Sequence, residues 1–259
     1  MDNAKDTRCI HMLLLVALLL IGNACSSGVG RSQPSPADRY AFLPSIQNSV
    51  VTVITYDVDN RVSAIGSGFF ISTSGLLVTN HHVLNGAYNA NIRTMDGSIY
   101  PVTGVVSENQ LMDLIKVRVD IPPNKISSVS RSNQAPAVAD RVFVVGSPMG
   151  LAQTVSEGIV SAIRDLPAGG NVLQLTAPIS QGSSGGPVFD RNGKVIGVVT
   201  YQTTKGQNLN FAIAIEALDL LADEPDEQSI AEWTIRNSNQ GPALAASLCR
   251  SGSRLSIQG

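Results

Sequence analysis

The segment of this sequence best suited to nucleophilic chemistry is Gly182-Ser183-Ser184-Gly185-Gly186-Pro187. A nucleophilic serine needs an exposed hydroxyl on a tight turn, with backbone N–H groups nearby to hold an oxyanion. Glycines permit both, because they take dihedrals closed to other residues and let a substrate approach the backbone. Taken alone, the hexapeptide also fits a Ser/Gly-rich hairpin loop. A serine nucleophile requires a base that titrates near neutrality, and histidine is the side chain that does so unperturbed. Of the three histidines, His11 lies in an N-terminal leader-like segment. The other two, His81 and His82, are adjacent at the end of GSGFFISTSGLLVTNHHVL (66–84). Acids that could orient such a base are Asp96, Glu108, Asp113, Asp120, Asp140, Glu157 and Asp165. The chemistry implied is acyl transfer by a serine activated through histidine and carboxylate.

The elements that must position these residues read as short strands. β-Branched runs recur with turn residues between them: VVTVITY (50–56), GSGFFIS (66–72), GLLVTN (75–80), DLIKVRV (113–119), RVFVVG (141–146), NVLQLTA (171–177) and KVIGVVTYQ (194–202). Such spacing predicts an all-β protein rather than alternating βα units. A polar, proline-bearing stretch over 121–140 divides the strands into two comparable sets, as expected of two small barrels in tandem. The strand pattern ends at FAIAI (211–215), where EALDLLAD (216–223) reads as a terminal helix; 224–259 reads as a polar tail, with a short helix around 229–235.

The stretches GSGFFIS, VTNHHV, DLIKVRV, VVGSPMGL, TVSEGIVSAI, GSSGGPVFD, GKVIGVV and NFAIAI together resemble the trypsin-like peptidases of the HtrA/Deg group, in the same order and across about residues 45–216. The resemblance implies a chymotrypsin-like double β-barrel with a short C-terminal helix, over 41–223, and a serine endopeptidase activity without metal or organic cofactor. It sets His82 as the general base and His81 as a neighbour, and Ser184 as the nucleophile beside a turn residue, Ser183. Adjacent side chains of an extended segment point to opposite faces, so one histidine of the pair can face the serine. Replacing His81 or Ser183 is accordingly expected to leave substantial activity. By the same resemblance the oxyanion donors are the N–H groups of Gly182 and Ser184, and Asp113 is the acid, aligned with a strand of the form Asp-Leu-Ala-Leu-Leu-Lys-Val. Lys116 departs from that pattern, where the family has an apolar residue. Pro178, six positions before the nucleophile, would line the substrate pocket with Thr200 and Tyr201. A proline there cannot neutralise a substrate Lys or Arg, so cleavage after small or medium apolar residues is expected. Ser183 replaces the aspartate of digestive relatives, which excludes zymogen activation through an ion pair at that position. The segment after the protease region is too short for the PDZ domain that HtrA proteins carry, so none is expected.

Hydrophobic residues make up 43% of the 259 residues and charged residues 15%, an ordinary globular composition. A net charge of −2 with scattered Lys and Arg argues against a nucleic-acid partner. Met12–Ile21 is an unbroken apolar run followed by Gly22, Asn23, Ala24 and Cys25. It is too short to cross a hydrocarbon core of about 30 Å, but suits the core of a secretory signal over 1–24. Cleavage before Cys25 fits either an ordinary signal-peptidase site or a lipoprotein signal that lipidates Cys25; the lipoprotein is the preferred reading. Residues 25–40 would then be a tether, and the protein an exported, membrane-anchored one of a bacterial envelope. Cys9 and Cys249 lie outside the protease region, so no internal disulfide or thiolate metal site supports it. Expected partners are protein or peptide substrates, with a homo-oligomer left open. The competing reading is a protease-fold module that captures peptides without cutting them.

Overall fold

The computed structural model describes residues 40–147, 153–166, 169–202, 210–221 and 227–238. The expected leader over 1–24, the expected tether over 25–40 up to residue 39, and both Cys25 and Cys249 lie outside the described residues. After a single helical turn, α1 (Leu43–Ile46), the described residues run through twelve antiparallel strands. The first six are β1 (Val50–Tyr56), β2 (Val62–Phe70), β3 (Leu76–Thr79), β4 (Asn89–Arg93), β5 (Ile99–Asn109) and β6 (Leu114–Val119). They close in the order β1-β2-β3-β6-β5-β4. The second six are β7 (Arg141–Gly146), β8 (Thr154–Asp165), β9 (Asn171–Leu175), β10 (Pro187–Asp190), β11 (Val195–Gln202) and β12 (Asn210–Ala214). They close as β10-β11-β12-β9-β8-β7. The segment 120–140 passes between the two barrels, with one short 3₁₀ turn at Pro123–Lys125.

The continuous apolar runs have a physical reason. Successive side chains of a strand point to opposite faces, and here both faces are buried. Phe70, Leu77, Ile115 and Val117 fill the first barrel, whereas Phe69, Val78 and Leu114 face a seam shared with the second. On the other side, Val142, Val144 and Val199 fill the second barrel, while Phe143, Val145, Phe189 and Val198 meet the seam. This seam is a third core, and it fixes one barrel against the other. Loops from both barrels that open onto its edge are held to a common geometry.

The expected terminal helix is present in 3₁₀ form, over Ile215–Leu220, and its Ile215, Ala217 and Leu218 pack on the core. Lys116, buried in β6, donates from Nζ to the Leu221 carbonyl at 3.1 Å. The unexpected lysine therefore serves as a cap for this helix, whose last carbonyls have no partner within it. Residues 227–238, within the stretch read as a polar tail, dock on the first barrel. Gln228 exchanges two backbone hydrogen bonds with Val105 of β5, at 2.7 and 3.3 Å. The short helix expected around 229–235 follows as α3, over 230–238, and buries Ile230 and Trp233 in the first-barrel core.

Candidate active site

The histidine pair opens a single helical turn, α2 (His81–Leu84), that ends β3. What orients this turn is Asp113, at the close of the tight β5–β6 connection. Its φ of 54° is left-handed, a conformation in which aspartate is enriched among non-glycine residues. The Asp113 carbonyl accepts the His81 N–H at 3.1 Å and the Asn80 side-chain amide at 2.9 Å. Its carboxylate accepts the His82 N–H at 2.9 Å through Oδ1. Oδ2 lies 2.7 Å from His82 Nδ1 and also accepts the Thr200 hydroxyl at 2.6 Å. Among the acids that the sequence left open, Asp113 is thus the one in contact with His82. The bond fixes the ring tautomer with its proton on Nδ1 and leaves Nε2 as the free acceptor.

Thr200 extends this chain to Ser184. Its carbonyl, on β11, accepts the Ser184 hydroxyl at 3.1 Å. No hydrogen bond joins Ser184 to His82 among the described residues, so the hydroxyl rests against the strand rather than on the imidazole. The glycines around it are required by space. A Cβ on Gly185, at φ 83°, would lie 2.2 Å from the Ser67 carbonyl oxygen and 2.3 Å from Thr79 Oγ1. Gly182, at φ 93°, also occupies the left-handed region. Neither the Gly182 nor the Ser184 N–H has an acceptor among the described residues, as an oxyanion hole needs.

Ser67, which sequence reasoning missed, ties this loop to the first barrel. Its N–H donates to the Ser184 carbonyl at 2.7 Å and its hydroxyl to the Gly182 carbonyl at 2.7 Å. It also accepts the Ser147 N–H at 2.9 Å, and its carbonyl accepts Thr79 Oγ1 at 2.7 Å. A buried serine within GSGFF therefore holds the serine loop from the histidine's barrel. The residues expected to line a substrate pocket fare differently. Pro178 is exposed and its carbonyl accepts the Ser156 hydroxyl at 2.7 Å. Thr200 is buried with its hydroxyl spent on Asp113, leaving its backbone toward the site. The Tyr201 side chain lies outside the described residues. Among the described residues no group of three or more His, Cys, Asp or Glu could hold a metal.

His81 takes a separate course. It is buried, with Nε2 3.0 Å from Glu108 Oε2 of β5. Burial pushes the Glu108 carboxyl up, but donors from His81 and Trp233, the attraction of His81 and the Asn237 amide outweigh it and hold the group below the usual glutamate range.

Residues 66–198, just over half of the chain, match the trypsin-like peptidase domain. The chain belongs to the trypsin-like peptidase family. Its relatives include the magnetosome formation protease MamE of Magnetospirillum gryphiswaldense, 32% identical over 235 residues, 87% of this chain and 29% of that protein. A protein of Bartonella henselae named as a DegP-like periplasmic serine endoprotease is 38% identical over 162 residues, 61% of this chain and 32% of its own length. This trypsin-like peptidase chain therefore spans less than a third of the length of these curated relatives. Among solved structures, the serine endoprotease of Yersinia pestis is 28% identical with a TM-score of 0.62, covering 73% of this chain and 65% of that one. The HtrA/Deg resemblance and the double-barrel fold both stand on these findings.

Proposed function

We propose that this chain is a serine endopeptidase in which Ser184 is the nucleophile, His82 the general base and acid, and Asp113 the group that orients His82. The observation that carries the reading is the continuous path His82–Asp113–Thr200–Ser184, assembled from both barrels. On substrate binding the Ser184 hydroxyl swings from the Thr200 carbonyl to His82 Nε2. It then attacks the scissile carbonyl while His82 takes its proton, and the Gly182 and Ser184 N–H groups hold the oxyanion. His82 next delivers the proton to the leaving amine, and water repeats the sequence on the acyl-enzyme. The balance of charge needs no metal or organic cofactor. Export, lipidation at Cys25 and work on envelope proteins complete the reading, supported by the leader-like N-terminus and by relatives named as periplasmic proteases.

Labelling by a fluorophosphonate probe tests the chemistry. Wild type is expected to label and to cleave an unfolded protein, and Ser184→Ala to lose both, with kcat down on the order of 10⁶. A folded wild type that neither labels nor cleaves would instead identify a peptide-capturing module. Labelled palmitate incorporation, abolished by Cys25→Ser, tests the anchor.

A further inference from the structure

Behind the turn that carries His82 lies a partly buried polar cluster that the proposed reaction does not use. His81 meets Glu108 Oε2 at 3.0 Å, and its ring stands edge-on to Trp233 with centroids 5.2 Å apart and planes at 69°. Glu108 also accepts Arg236 at 2.9 Å through Oε1, and the Asn237 amide at 3.3–3.4 Å through both oxygens. The buried donors His81 Nε2 and Trp233 Nε1 border this carboxylate without a fully aligned hydrogen bond. Trp233, Arg236 and Asn237 all come from α3. The same helix bonds Thr234 Oγ1 to the Ala87 carbonyl at 2.6 Å, three residues past α2. It is moored at its start by Gln228 on β5 and by Glu227, which accepts Arg118 at 2.7 and 2.9 Å.

Ala87, His81 and Glu108 bracket the His82 turn from behind. Asp113 holds the same turn from in front, through the backbone N–H groups of His81 and His82. A four-residue helix has too few internal hydrogen bonds to fix its own direction, so these outer contacts decide where the His82 ring points. We propose that α3 is a prop for the catalytic base, acting through His81 as a positioning residue, with Glu108, Trp233 and Arg236 as its support. A partly buried polar support of this kind serves precision, since small displacements of a catalytic group cost rate steeply.

This inference rests on the proposed protease reading, and two variants separate them. In His81→Ala and Arg236→Met, kcat per active site, counted by fluorophosphonate titration, should fall about tenfold while KM stays within twofold. Arg236→Lys should recover most of the loss. A merely structural cluster would instead lower the number of titratable sites and leave kcat per site unchanged; that result would overturn the proposal. If His81→Ala does not fold, Arg236→Met, on a partly exposed side chain, carries the test. If wild type does not label at all, the protease reading fails alone, because the downfield NMR signal of the His82 Nδ1 proton still reports on the prop. That signal should broaden or vanish in the variants; a sharp, unmoved resonance would defeat the proposal.

Discussion

Two histidine–carboxylate pairs stand back to back in this molecule, built from adjacent histidines. His82 and Asp113 meet at 2.7 Å with side chains 49% and 26% exposed, while His81 and Glu108 meet at 3.0 Å with side chains 6% and 17% exposed. The chemistry of the two pairs is the same, and their surroundings separate them. Asp113 is backed by Thr200, which leads to Ser184, and its histidine faces solvent where a substrate can reach. Glu108 is backed by Arg236 and Asn237 and its histidine by an indole. Under the proposed reading, a histidine–carboxylate contact is therefore no mark of catalysis in itself; what the outer atoms of each partner touch decides its use.

The widest separation is expected from neutralising each carboxylate in turn. Asp113→Asn should lower kcat by about 10⁴, because the amide favours the wrong tautomer of His82. Glu108→Gln should cost about tenfold, through placement alone. Hydrolysis of a chromogenic peptide measures both, and losses of equal size would erase the distinction between the pairs. A smaller effect is expected one bond further out. Thr200→Val removes the 2.6 Å hydrogen bond to Asp113 and should lower kcat/KM by about ten- to a hundredfold, as charge-assisted bonds of roughly 1.5–3 kcal/mol imply. Thr200→Ser should stay near wild type, since it keeps the hydroxyl.

The contact of His82 with Asp113, the front pair, was expected from the family resemblance, whereas that of His81 with Glu108, the back pair, was not expected at all. Scarcity of histidine confined the base to His81 or His82, and the glycines around Ser184 announce a loop in which side chains have no room. Thr200 was read as a pocket residue because its neighbourhood, not its hydroxyl bond to a residue 87 positions away, is what a linear sequence displays. Ser67 escaped for the same reason: its partners belong to the other barrel's loop. Strands buried on both faces showed themselves as apolar runs. Those with exposed or polar positions, such as β4 (NANIR) and β5, with Pro101 and Gly104, did not. Glu108 was weighed as an acid for the base, yet nothing in its spacing indicates Trp233, which reaches it from a segment that reads as polar.

Acid pH should expose the contribution of Glu108 to stability. The Glu108 carboxyl is depressed in the folded protein, so it binds protons less readily there than in the unfolded chain. Its stabilisation is complete above the ordinary glutamate value of 4.5 and is lost as pH falls through the lower, folded value. Asp219, depressed mainly by its hydrogen bonds from Arg131, contributes in the same direction. The difference between wild type and Glu108→Gln therefore isolates the cluster. Thermal unfolding followed from pH 6 to pH 3 should show a shallower decline for the variant, and parallel curves would mean that Glu108 is not held by its neighbours.

The mildest perturbation addresses how far the back pair depends on the start of α3. Ser229 and Glu232 form a capping box there. The Ser229 N–H and hydroxyl both donate to Glu232 Oε2, at 3.1 and 2.8 Å, and the Glu232 N–H donates to Ser229 Oγ at 3.3 Å. The serine hydroxyl and then its N–H hold the Glu232 carboxyl below its usual range. Ser229→Ala should quicken amide hydrogen exchange across 230–238 about fivefold, the effect of losing a cap of ordinary strength. Exchange in β7 and β10 of the second barrel should not change. Because Trp233 remains buried and Gln228 remains paired with β5, kcat should fall less than twofold. A loss as large as that of Arg236→Met would show that the cap, rather than the Glu108 cluster, governs the position of His82.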